Sequence, residues 1–263
     1  MKEPIKSQPL VSIITPLYNA EKFIGEAMQS VVHQTHTNWE MLIVDDCSTD
    51  KSAEVVHAFA KAYDNIHYTK LLKNQGAAHC RNHATKDAKG KYIAFLDADD
   101  RWLPNKLERQ LNVMSDTNCA VCHTSYEHIN EDGEVTGKKI NAIQKLTYKK
   151  QHLNNYLGNL TGMYNAEMVG KIYAPKIRKR QDWALWLEAI KKSGESAVGI
   201  PEVLAQYRVH QGNMSGDKLK LVKYNYHFYR TYLGYNTIKA SYWLVRFLWE
   251  YFFVRPKYIE IGK

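Results

Sequence analysis

Four apolar runs, three of them nearly continuous, alternate with helical patterns through the first hundred residues of the chain. The runs are VSIIT at 11–15, MLIV at 41–44, IHYTKLL at 66–72 and YIAFL at 92–96. Between them, helical spacing recurs after Asn19, after Asp50, which we expect to cap its helix, and from Gly76 to a stop at Gly90. Such alternation implies right-handed crossovers between parallel strands, and near-continuous strands are typical of sheets covered on both faces. The sequence therefore predicts an α/β fold: a mostly parallel sheet with helices on both faces.

Polar residues collect where each predicted strand ends. PLYN follows the first run, DDCS follows the second, NQG comes shortly after the third, and DADD follows the fourth. Ligands of open α/β sheets bind at the carboxyl ends of the strands. Loops are polar in any case, so a single polar strand end would mean little. Four of them favour a binding crevice.

The segment FLDADD places three carboxylates after an apolar strand. Asp97 and Asp99 share one face of an extended chain, and we expect Asp100 to point elsewhere and begin the loop to Trp102. A divalent cation, Mg²⁺ or Mn²⁺, relieves the repulsion between two such carboxylates and takes further oxygens from water and phosphate. A glycosidase acid–base pair needs carboxyls about 5 Å or more apart across a cleft, so neighbours on one strand tip fit a metal better.

Several residues could recognise a nucleotide diphosphate. Asn74 and Gly76 open a helix whose backbone N–H groups are expected to face an anion, and Arg81 lies just inside that helix. A carboxylate such as Asp46 could accept the imide N–H of uracil, while Tyr18 could stack on the ring. The chain has neither GxxxxGK nor GxGxxG, which excludes a P-loop and weakens a dinucleotide-oxidoreductase interpretation.

The segment CAVCH at 119–123 matches the haem-attachment pattern CxxCH. Covalent haem requires export, and the N-terminus lacks the apolar stretch of a signal peptide, so we expect four reduced thiols. A zinc site with His128 lacks a second ligand pair. We therefore predict a strand over 119–129 and a turn at EDG, residues 131–133.

The second half of the chain follows a different pattern. A basic stretch at 138–150 is predicted to be irregular, a helix fits 181–192 with Gly194 as its stop, and a strand fits 202–210. Asp182 falls in the first turn of that helix, where the helix dipole favours a charged carboxylate.

The last 47 residues, 217–263, hold nearly half of the chain's aromatic residues and few acidic ones. Lys239, Tyr242, Arg246 and Glu250 form one helical stripe in an otherwise apolar stretch, which is too interrupted to span a bilayer. This pattern favours a helix at an anionic membrane surface. Packing onto its own domain, or onto a sister subunit in a homo-oligomer, is the alternative. The net charge of +9 suits an anionic partner, but no nucleic-acid-binding motif is present.

Five ordered segments together resemble the family 2 glycosyltransferases of the GT-A fold. They are the stretch at 11–50, KNQGAAHCRNHA, GKYIAFLDADD, RQDWALWLEAI and QYRVHQGNMS. The resemblance covers roughly residues 9–215 and is greatest to bacterial enzymes that build cell-surface polysaccharides. It implies a single Rossmann-like GT-A domain at 1–216, with a nucleotide-sugar half at 9–115 and an acceptor half at 116–216, followed by a helical segment at 217–263.

The resemblance also implies a role for each matching residue. On the donor side, Pro16, Tyr18 and Asp46 would line the base pocket, with Asn74 and Arg81 near the donor. Asp97 and Asp99 match the DxD motif, with Asp97 toward ribose and metal and Asp99 as the direct ligand of Mn²⁺ or Mg²⁺. His210 would close the metal site, and Asp182 matches the catalytic base.

Two positions depart from the family pattern. The usual Glu-Asp before the acceptor helix is Gln181-Asp182, which leaves Asp182 less exposed to repulsion from a like charge. Cys47 replaces the commoner glycine and is expected to constrain the turn beside the base pocket.

The implied reaction inverts the anomeric carbon. Asp182 would deprotonate an acceptor hydroxyl, which attacks from the face opposite the nucleotide diphosphate. The donor is expected to be a UDP-sugar and the acceptor a glycan or lipid-linked molecule, with the enzyme cytoplasmic and peripheral on the inner face of the cell membrane. A sugar nucleotidyltransferase and a non-catalytic nucleotide- or sugar-binding subunit are the alternatives.

Overall fold

The computed structural model describes residues 8–177, 179–210 and 218–262, with the backbone alone at 218–221. Within these residues the strands are β1 (Val11–Leu17), β2 (Trp39–Asp45), β3 (Ile66–Lys70), β4 (Tyr92–Phe95), β5 (Arg101–Trp102), β6 (Val121–Ile129), β7 (Val135–Ile140), β8 (Lys145–Leu146), β9 (Met163–Asn165), β10 (Ala197–Arg208) and β11 (Ile259–Ile261). The α-helices are α1 (Ile24–Val32), α2 (Ser52–Ala62), α3 (Ala77–Asp87), α4 (Lys106–Thr117), α5 (Tyr148–Leu153), α6 (Ala166–Val169), α7 (Gln181–Ser193), α8 (Lys218–His227) and α9 (Thr237–Trp249).

The predicted parallel sheet is confirmed by the order β3-β2-β1-β4, in which every neighbouring pair is parallel. Ile13 lies opposite both Met41 of β2 and Ala94 of β4, so the centre of β1 is paired on both edges. Because all four strands run the same way, their carboxyl ends meet at one edge of the sheet. The polar segments that follow them are therefore brought to the same place.

Helices cover both faces of this sheet, as predicted. Alternate strand residues face opposite sides: Ile13 packs in one core with Met28 of α1, whereas Ile14 packs in another with Ala84 of α3 and Trp186 of α7. Burial on both faces explains why β1, β2 and β4 are almost uninterrupted apolar runs, whereas the edge strand β3 is mostly exposed and more polar.

Two helix ends differ from the sequence prediction. The second helix begins at Ser52 after Lys51, so Asp50 is not its N-cap, although Asp50 Oδ1 accepts the Ser52 N–H at 3.0 Å. The third helix ends at Asp87, before Gly90. Gly90 instead allows close packing against β1, since a Cβ there would lie 2.5 Å from the backbone nitrogen of Ser12.

An antiparallel extension continues the sheet beyond β4. β9 pairs antiparallel with both β4 and β6, and β10 runs parallel to β6. The predicted strands at 119–129 and 202–210 correspond to β6 and the later part of β10, which begins earlier, at Ala197. The prediction of an irregular stretch at 138–150 was wrong, because this stretch includes the end of β7, all of β8 and the start of α5.

The helix predicted at 181–192 is α7, which ends at Gly194 in the left-handed conformation. The outer side of α7 carries the C-terminal segment, the described residues 218–262. Trp183 of α7 stacks on Phe228 with ring centroids 4.1 Å apart, and Phe247 of α9 packs beside them. The predicted boundary at 216/217 and the motif residues 211–215 lie outside the described residues.

The C-terminal segment has a packed face and an exposed face. Ala240 and Phe247 are buried against α7, whereas Ile238, Tyr242, Val245 and Trp249 are exposed, at successive spacings of four, three and four residues. Glu250 does not lie on an exposed charged stripe as the sequence predicted. It is buried, pairs with Lys150 and accepts the hydroxyl of Tyr156 at 2.6 Å. No helix in the described parts of the chain is both long and apolar enough to cross a membrane.

Candidate active site

A cleft of ≈ 890 Å³ opens at the carboxyl ends of the parallel strands. Its walls come from the ends of β1, β2 and β4, the N-terminus of α7, and the C-terminal segment. It brings together nearly all of the predicted site residues, namely Pro16, Tyr18, Asp46, Arg81, Asp97, Asp99, Asp182 and His210. Asn74 is the exception and does not line the cleft.

Asp46 is held in place by the loop that precedes α3. Its two carboxylate oxygens accept the N–H groups of Gln75 at 2.6 Å and Gly76 at 2.7 Å. Asn74 Nδ2 donates to the backbone oxygen of Asp46 at 3.2 Å, so Asn74 positions Asp46 rather than a ligand. Asp46 therefore occupies the N–H groups of Gln75 and Gly76, whereas Ala77, the first residue of α3, lines the cleft, and a diphosphate at the start of this helix stays a prediction. Tyr18 stands at the rim with 53% of its surface exposed.

The turn after Asp46 has a left-handed backbone at Cys47, the position where the family commonly has glycine. Cys47 has φ 68°, in the left-handed region that favours glycine. Asp45 Oδ1 closes the turn by accepting the Ser48 N–H at 2.7 Å. Cys47 therefore holds a backbone conformation that is strained for a residue with a side chain, and the turn keeps this shape.

Asp97 is bound from two sides. Arg81 Nη2 donates to its Oδ1 at 2.6 Å, and Asn159 Nδ2 lies 3.3 Å from the same atom. Burial opposes the charge on Arg81, but the charges of Asp97 and Asp182 outweigh burial and raise the pKa of the guanidinium. Arg81 therefore stays a cation between carboxylates from two distant parts of the chain.

Asp99 faces His210 across the cleft, with 3.0 Å between Asp99 Oδ2 and His210 Nε2. Burial raises the pKa of the Asp99 carboxyl, the nearby charge of Asp97 raises it further, and the contact with His210 works in the opposite direction. A buried carboxyl group whose ionisation is opposed by a neighbouring carboxylate is the environment that a bound cation would relieve.

Asp100 is not a solvated start of a loop, contrary to the sequence expectation. It is 2% exposed, accepts the Arg208 N–H at 3.0 Å, and has a pKa raised well above its usual value by burial and by the charges of Asp99 and Asp97. Arg208 is fully buried, donates Nε to the Asp99 backbone oxygen at 2.9 Å, and pairs with Glu26 at 2.6 Å. Arg208 of β10 thus holds the turn that carries Asp97 and Asp99, through its contacts with Asp99 and Asp100.

The chemistry of these side chains fits Mn²⁺ or Mg²⁺. Asp97 and Asp99 offer two carboxylates at one turn, which is the number that a magnesium-type site takes when water and phosphate oxygens supply the rest. Across the described residues, no three His, Cys, Asp or Glu side chains are arranged as a complete metal site. The donor set therefore fits a metal that binds together with a phosphate ligand.

Asp182 lies in the first turn of α7, as predicted. Arg180, at the start of the helix, has φ 68°, and Asn155 Nδ2 donates to Asp182 Oδ2 at 2.7 Å. Gln181 turns away and donates to the Ile177 oxygen at 2.6 Å, so it does not contact Asp182 in place of the family's glutamate.

Sequence reasoning missed five polar residues that shape the cleft or its floor: Asn155, Asn159, Arg180, Arg208 and Arg255. Four of them lie in loops or short turns, where no periodicity marks a side chain as inward-facing. Arg208 sits within a predicted strand next to the motif residue His210, which was the only available signal.

The CAVCH segment is part of the core. Cys119, Cys122 and His123 are each at most 4% exposed, and the ring of His123 donates to the Ile143 oxygen at 3.1 Å. Burial lowers the pKa of His123 to about 4 and raises the pKa of the Cys122 thiol. The predicted strand is confirmed, and these thiols are enclosed rather than presented to a haem.

Comparison with known proteins gives a consistent result. The model of the family "Glycosyl transferase family 2" matches residues 12–172, more than half of the chain. A Bacillus subtilis (strain 168) protein named "Putative teichuronic acid biosynthesis glycosyltransferase TuaG" is 42% identical over 240 residues, covering 91% of this chain and 95% of that protein. The Escherichia coli UDP-Glc:alpha-D-GlcNAc-diphosphoundecaprenol beta-1,3-glucosyltransferase WfgD is 39% identical over 217 residues, covering 81% of this chain and 83% of that protein.

Among solved structures, Staphylococcus aureus TarS 1–349 in complex with UDP-GlcNAc is similar, with a TM-score of 0.71 and 20% identity. The match covers 92% of this chain and 73% of that one, and supports the GT-A fold. The family match, the two relatives and the DxD-bearing cleft agree: the chain belongs to glycosyl transferase family 2.

Proposed function

We propose that this protein is an inverting, metal-dependent glycosyltransferase. It moves a sugar from a nucleotide-diphosphate sugar, a UDP-sugar, to a hydroxyl of a glycan or lipid-linked acceptor in cell-surface polysaccharide synthesis. The observation that carries the proposal is that one cleft gathers Asp46, Asp97, Asp99 and Asp182 from three separate parts of the chain. The names of the two relatives, which refer to teichuronic acid and to a diphosphoundecaprenol-linked acceptor, support the substrate class.

The donor nucleotide lies at the β1 and β2 ends. Asp46 accepts the imide N–H of uracil, because its carboxylate is fixed by two backbone N–H groups and cannot turn away. Tyr18 stacks on the base, and Pro16 shapes the pocket floor. Asn74, which the sequence placed near the donor, acts only by holding Asp46.

Asp97 and Asp99 would hold Mn²⁺ or Mg²⁺, and His210 would close the site beside Asp99. When bound, the metal neutralises the charge that grows on the departing diphosphate. Arg81 adds a positive charge beside the departing diphosphate. Its guanidinium is held in place by Asp97, and Asp97 is in turn held by Asn159.

Asp182 removes the proton from the attacking acceptor hydroxyl. The amide of Asn155 donates to Oδ2 of Asp182, which leaves Oδ1 to face the acceptor. A general base placed in this way contributes about 10²–10⁴-fold to the rate. No covalent intermediate is needed, because the hydroxyl attacks the anomeric carbon directly.

The exposed face of α9 touches an anionic membrane surface. Its apolar side chains point outward at helical spacing, and the basic residues Lys239 and Arg246 flank them. The enzyme is then peripheral, on the side of the membrane where nucleotide sugars are made. Contact with a second copy of the chain is the competing use of the same face.

Calorimetry tests the donor site directly. UDP should bind in the presence of Mn²⁺ and weaken at least tenfold when the metal is chelated, because the diphosphate would then meet the carboxylates of Asp97 and Asp99 with no cation to offset their charge. Asp99→Asn should reproduce the loss in the presence of metal. Asp64→Asn, which removes an exposed carboxylate outside the cleft, serves as the control. Equal UDP affinity with and without metal would contradict the metal role.

A further inference from the structure

Basic residues collect in the part of the cleft around Asp182. The cations among the described lining residues are Arg81, Lys138, Lys179, Arg180 and Arg255. Arg81 is paired with Asp97 on the donor side. Asp182 is the one lining carboxylate outside the donor group of Asp46, Asp97, Asp99 and Asp100, counted over the described residues.

Arg255 is tied to Asp182 through one residue. Its Nη1 donates to Asn154 Oδ1 at 2.6 Å and lies 3.2 Å from the backbone oxygen of Asn155. The side chain of Asn155 in turn donates to Asp182. The C-terminal segment therefore places a guanidinium one residue away from Asp182.

Arg180 reaches the same region from the start of α7. Its Nε donates to Asn225 Oδ1 at 2.7 Å, and its backbone adopts the left-handed conformation. Burial lowers the pKa of Arg180, Asp182 opposes this effect, and the charge of Arg255 adds to it. The two guanidiniums are thus close enough to repel each other.

Neither guanidinium forms an ion pair with a carboxylate within the described part of the chain. Two like charges, one largely buried and both lining a cleft, are costly to hold together without an anion between them. The planar guanidinium fork matches the oxygens of a phosphoryl group in a bidentate way.

An apolar surface begins directly beside this pair. Trp249, Phe252 and Phe253, the aromatic rim, are 59%, 62% and 60% exposed, and Phe252 also lines the cleft. The rim stands on the turn of helix that leads into Arg255. A ligand that satisfies both features carries a strongly anionic group joined to a hydrocarbon chain.

We propose that Arg180 and Arg255 bind the diphosphate of a lipid-linked acceptor, with the first part of its hydrocarbon chain on the aromatic rim. This inference rests on the proposed function, because it assigns the acceptor of the same cleft. Arg180 and Arg255 are positioning residues for the acceptor: they hold its anionic end so that a sugar hydroxyl lies at Asp182.

The test uses decyl diphosphate as the probe and the full chain saturated with UDP and Mn²⁺, so that the donor diphosphate site is filled. Calorimetry should give binding that Arg180→Gln and Arg255→Gln each weaken at least tenfold, while UDP affinity changes less than twofold. Arg230→Gln, which removes an exposed cation of the same segment, should leave decyl diphosphate binding unchanged. Arg255→Lys, which keeps the charge but not the fork, covers the case in which Arg255→Gln fails to fold, and should weaken binding by a smaller factor.

Two further probes separate the parts of the inference. Inorganic diphosphate should bind at least tenfold more weakly than decyl diphosphate, and Phe252→Ser should reduce that difference. Equal affinity for the two probes would overturn the lipid assignment, and decyl diphosphate binding that is unchanged in both arginine-to-glutamine variants would overturn the subsite. If UDP failed to bind the wild-type protein while decyl diphosphate still bound through Arg180 and Arg255, the proposed function would fail and the subsite would stand.

Discussion

Cys47 holds its backbone in the left-handed region, at the turn that presents Asp46. A side chain in this conformation costs roughly 1–2 kcal/mol, whereas glycine adopts it without strain. We therefore expect Cys47→Gly to leave the free energy of unfolding unchanged or raise it by up to about 1 kcal/mol, because glycine's greater entropy in the unfolded chain offsets part of the gain. Cys47→Val should lower it. Urea unfolding measures both, and a glycine variant clearly less stable than wild type would contradict the strain.

Arg208 connects the interior of the protein to the turn that carries Asp97 and Asp99. Its side chain donates to the backbone oxygens of Asp99, Asn130 and Glu131, and pairs with Glu26. Arg208→Met should lower the free energy of unfolding by at least about 3 kcal/mol, because these carbonyls lose a charged donor. It should also weaken UDP binding in the presence of Mn²⁺.

Arg109→Met provides the matched control for that prediction. Arg109 also pairs with a glutamate, Glu202, but both side chains are about 40% exposed, at 41% and 42%. An exposed pair contributes less than about 1 kcal/mol. If the two variants lost equal free energy of unfolding, Arg208 would contribute no more to stability than a surface ion pair does.

Lys106 is a fully buried amine outside the cleft lining. It donates to Gln110 Oε1 at 2.5 Å and lies 3.9 Å from the centre of the Trp102 ring, and burial lowers its pKa to about 7. The unfolded chain keeps the ordinary lysine pKa of about 10.4, so between these two values the unfolded state holds one more proton. The contribution of Lys106 to stability therefore rises with pH across this window.

The substitution Lys106→Met isolates that contribution. The variant should exceed wild type in free energy of unfolding by a larger margin at pH 7 than at pH 9.5. Lys61→Met, at an exposed position of α2, should show no such change in margin. A difference between Lys106→Met and wild type that stays constant with pH would contradict the lowered pKa.

At the scale of elements, the C-terminal segment shows how far the sequence alone can go. Its aromatic and basic composition predicted an amphipathic helix, and α9 is one. The sequence could not decide between packing and membrane contact, because both use apolar side chains. The structure assigns one face of α9 to packing on α7, through Phe247, and leaves the face that includes Ile238 and Val245 exposed.

Membrane contact through the exposed face predicts liposome binding. The double variant Ile238→Ser with Val245→Ser should bind anionic vesicles at least tenfold more weakly in co-sedimentation, because two exposed apolar side chains no longer enter the bilayer interface. Leu72→Ser with Val135→Ser, a remote exposed pair, should bind like wild type. If the first variant bound vesicles normally but lost a dimer in solution, the face would serve a second copy instead.

The strands and their polar ends were predictable because each depends on a local pattern. Three of the four parallel strands are nearly continuous apolar runs, and the DxD residues closely follow one of them. Asn155, Arg180 and Arg255 were not predictable in this way, since they meet at Asp182 only after residues a hundred positions apart have packed together. Asp100 was misjudged for the same reason: its partner, the N–H of Arg208, lies far along the chain.

At the scale of the whole molecule, the cleft is divided by charge. Asp46, Asp97 and Asp99 lie at the ends of the parallel strands, while Arg180 and Arg255 come from α7 and the C-terminal segment. Asp182 is connected to both groups. Asn155, which contacts Arg255, donates to Asp182, and the charge of Arg81 acts on both Asp182 and Asp97. The proposed donor and acceptor sites therefore use different groups of charged residues, with Asp182 in the same cleft.

The stereochemistry of the product tests the central claim most directly. Proton NMR can follow the sugar released from an α-linked UDP-sugar in the presence of Mn²⁺, with water or an acceptor as nucleophile, before the anomers equilibrate. We predict that the first product is the β-anomer, and that Asp182→Asn abolishes its formation while UDP affinity stays within twofold of wild type. A first product with the α-configuration, or an Asp182→Asn variant that releases sugar at the wild-type rate, would contradict an inverting transfer with Asp182 as its base.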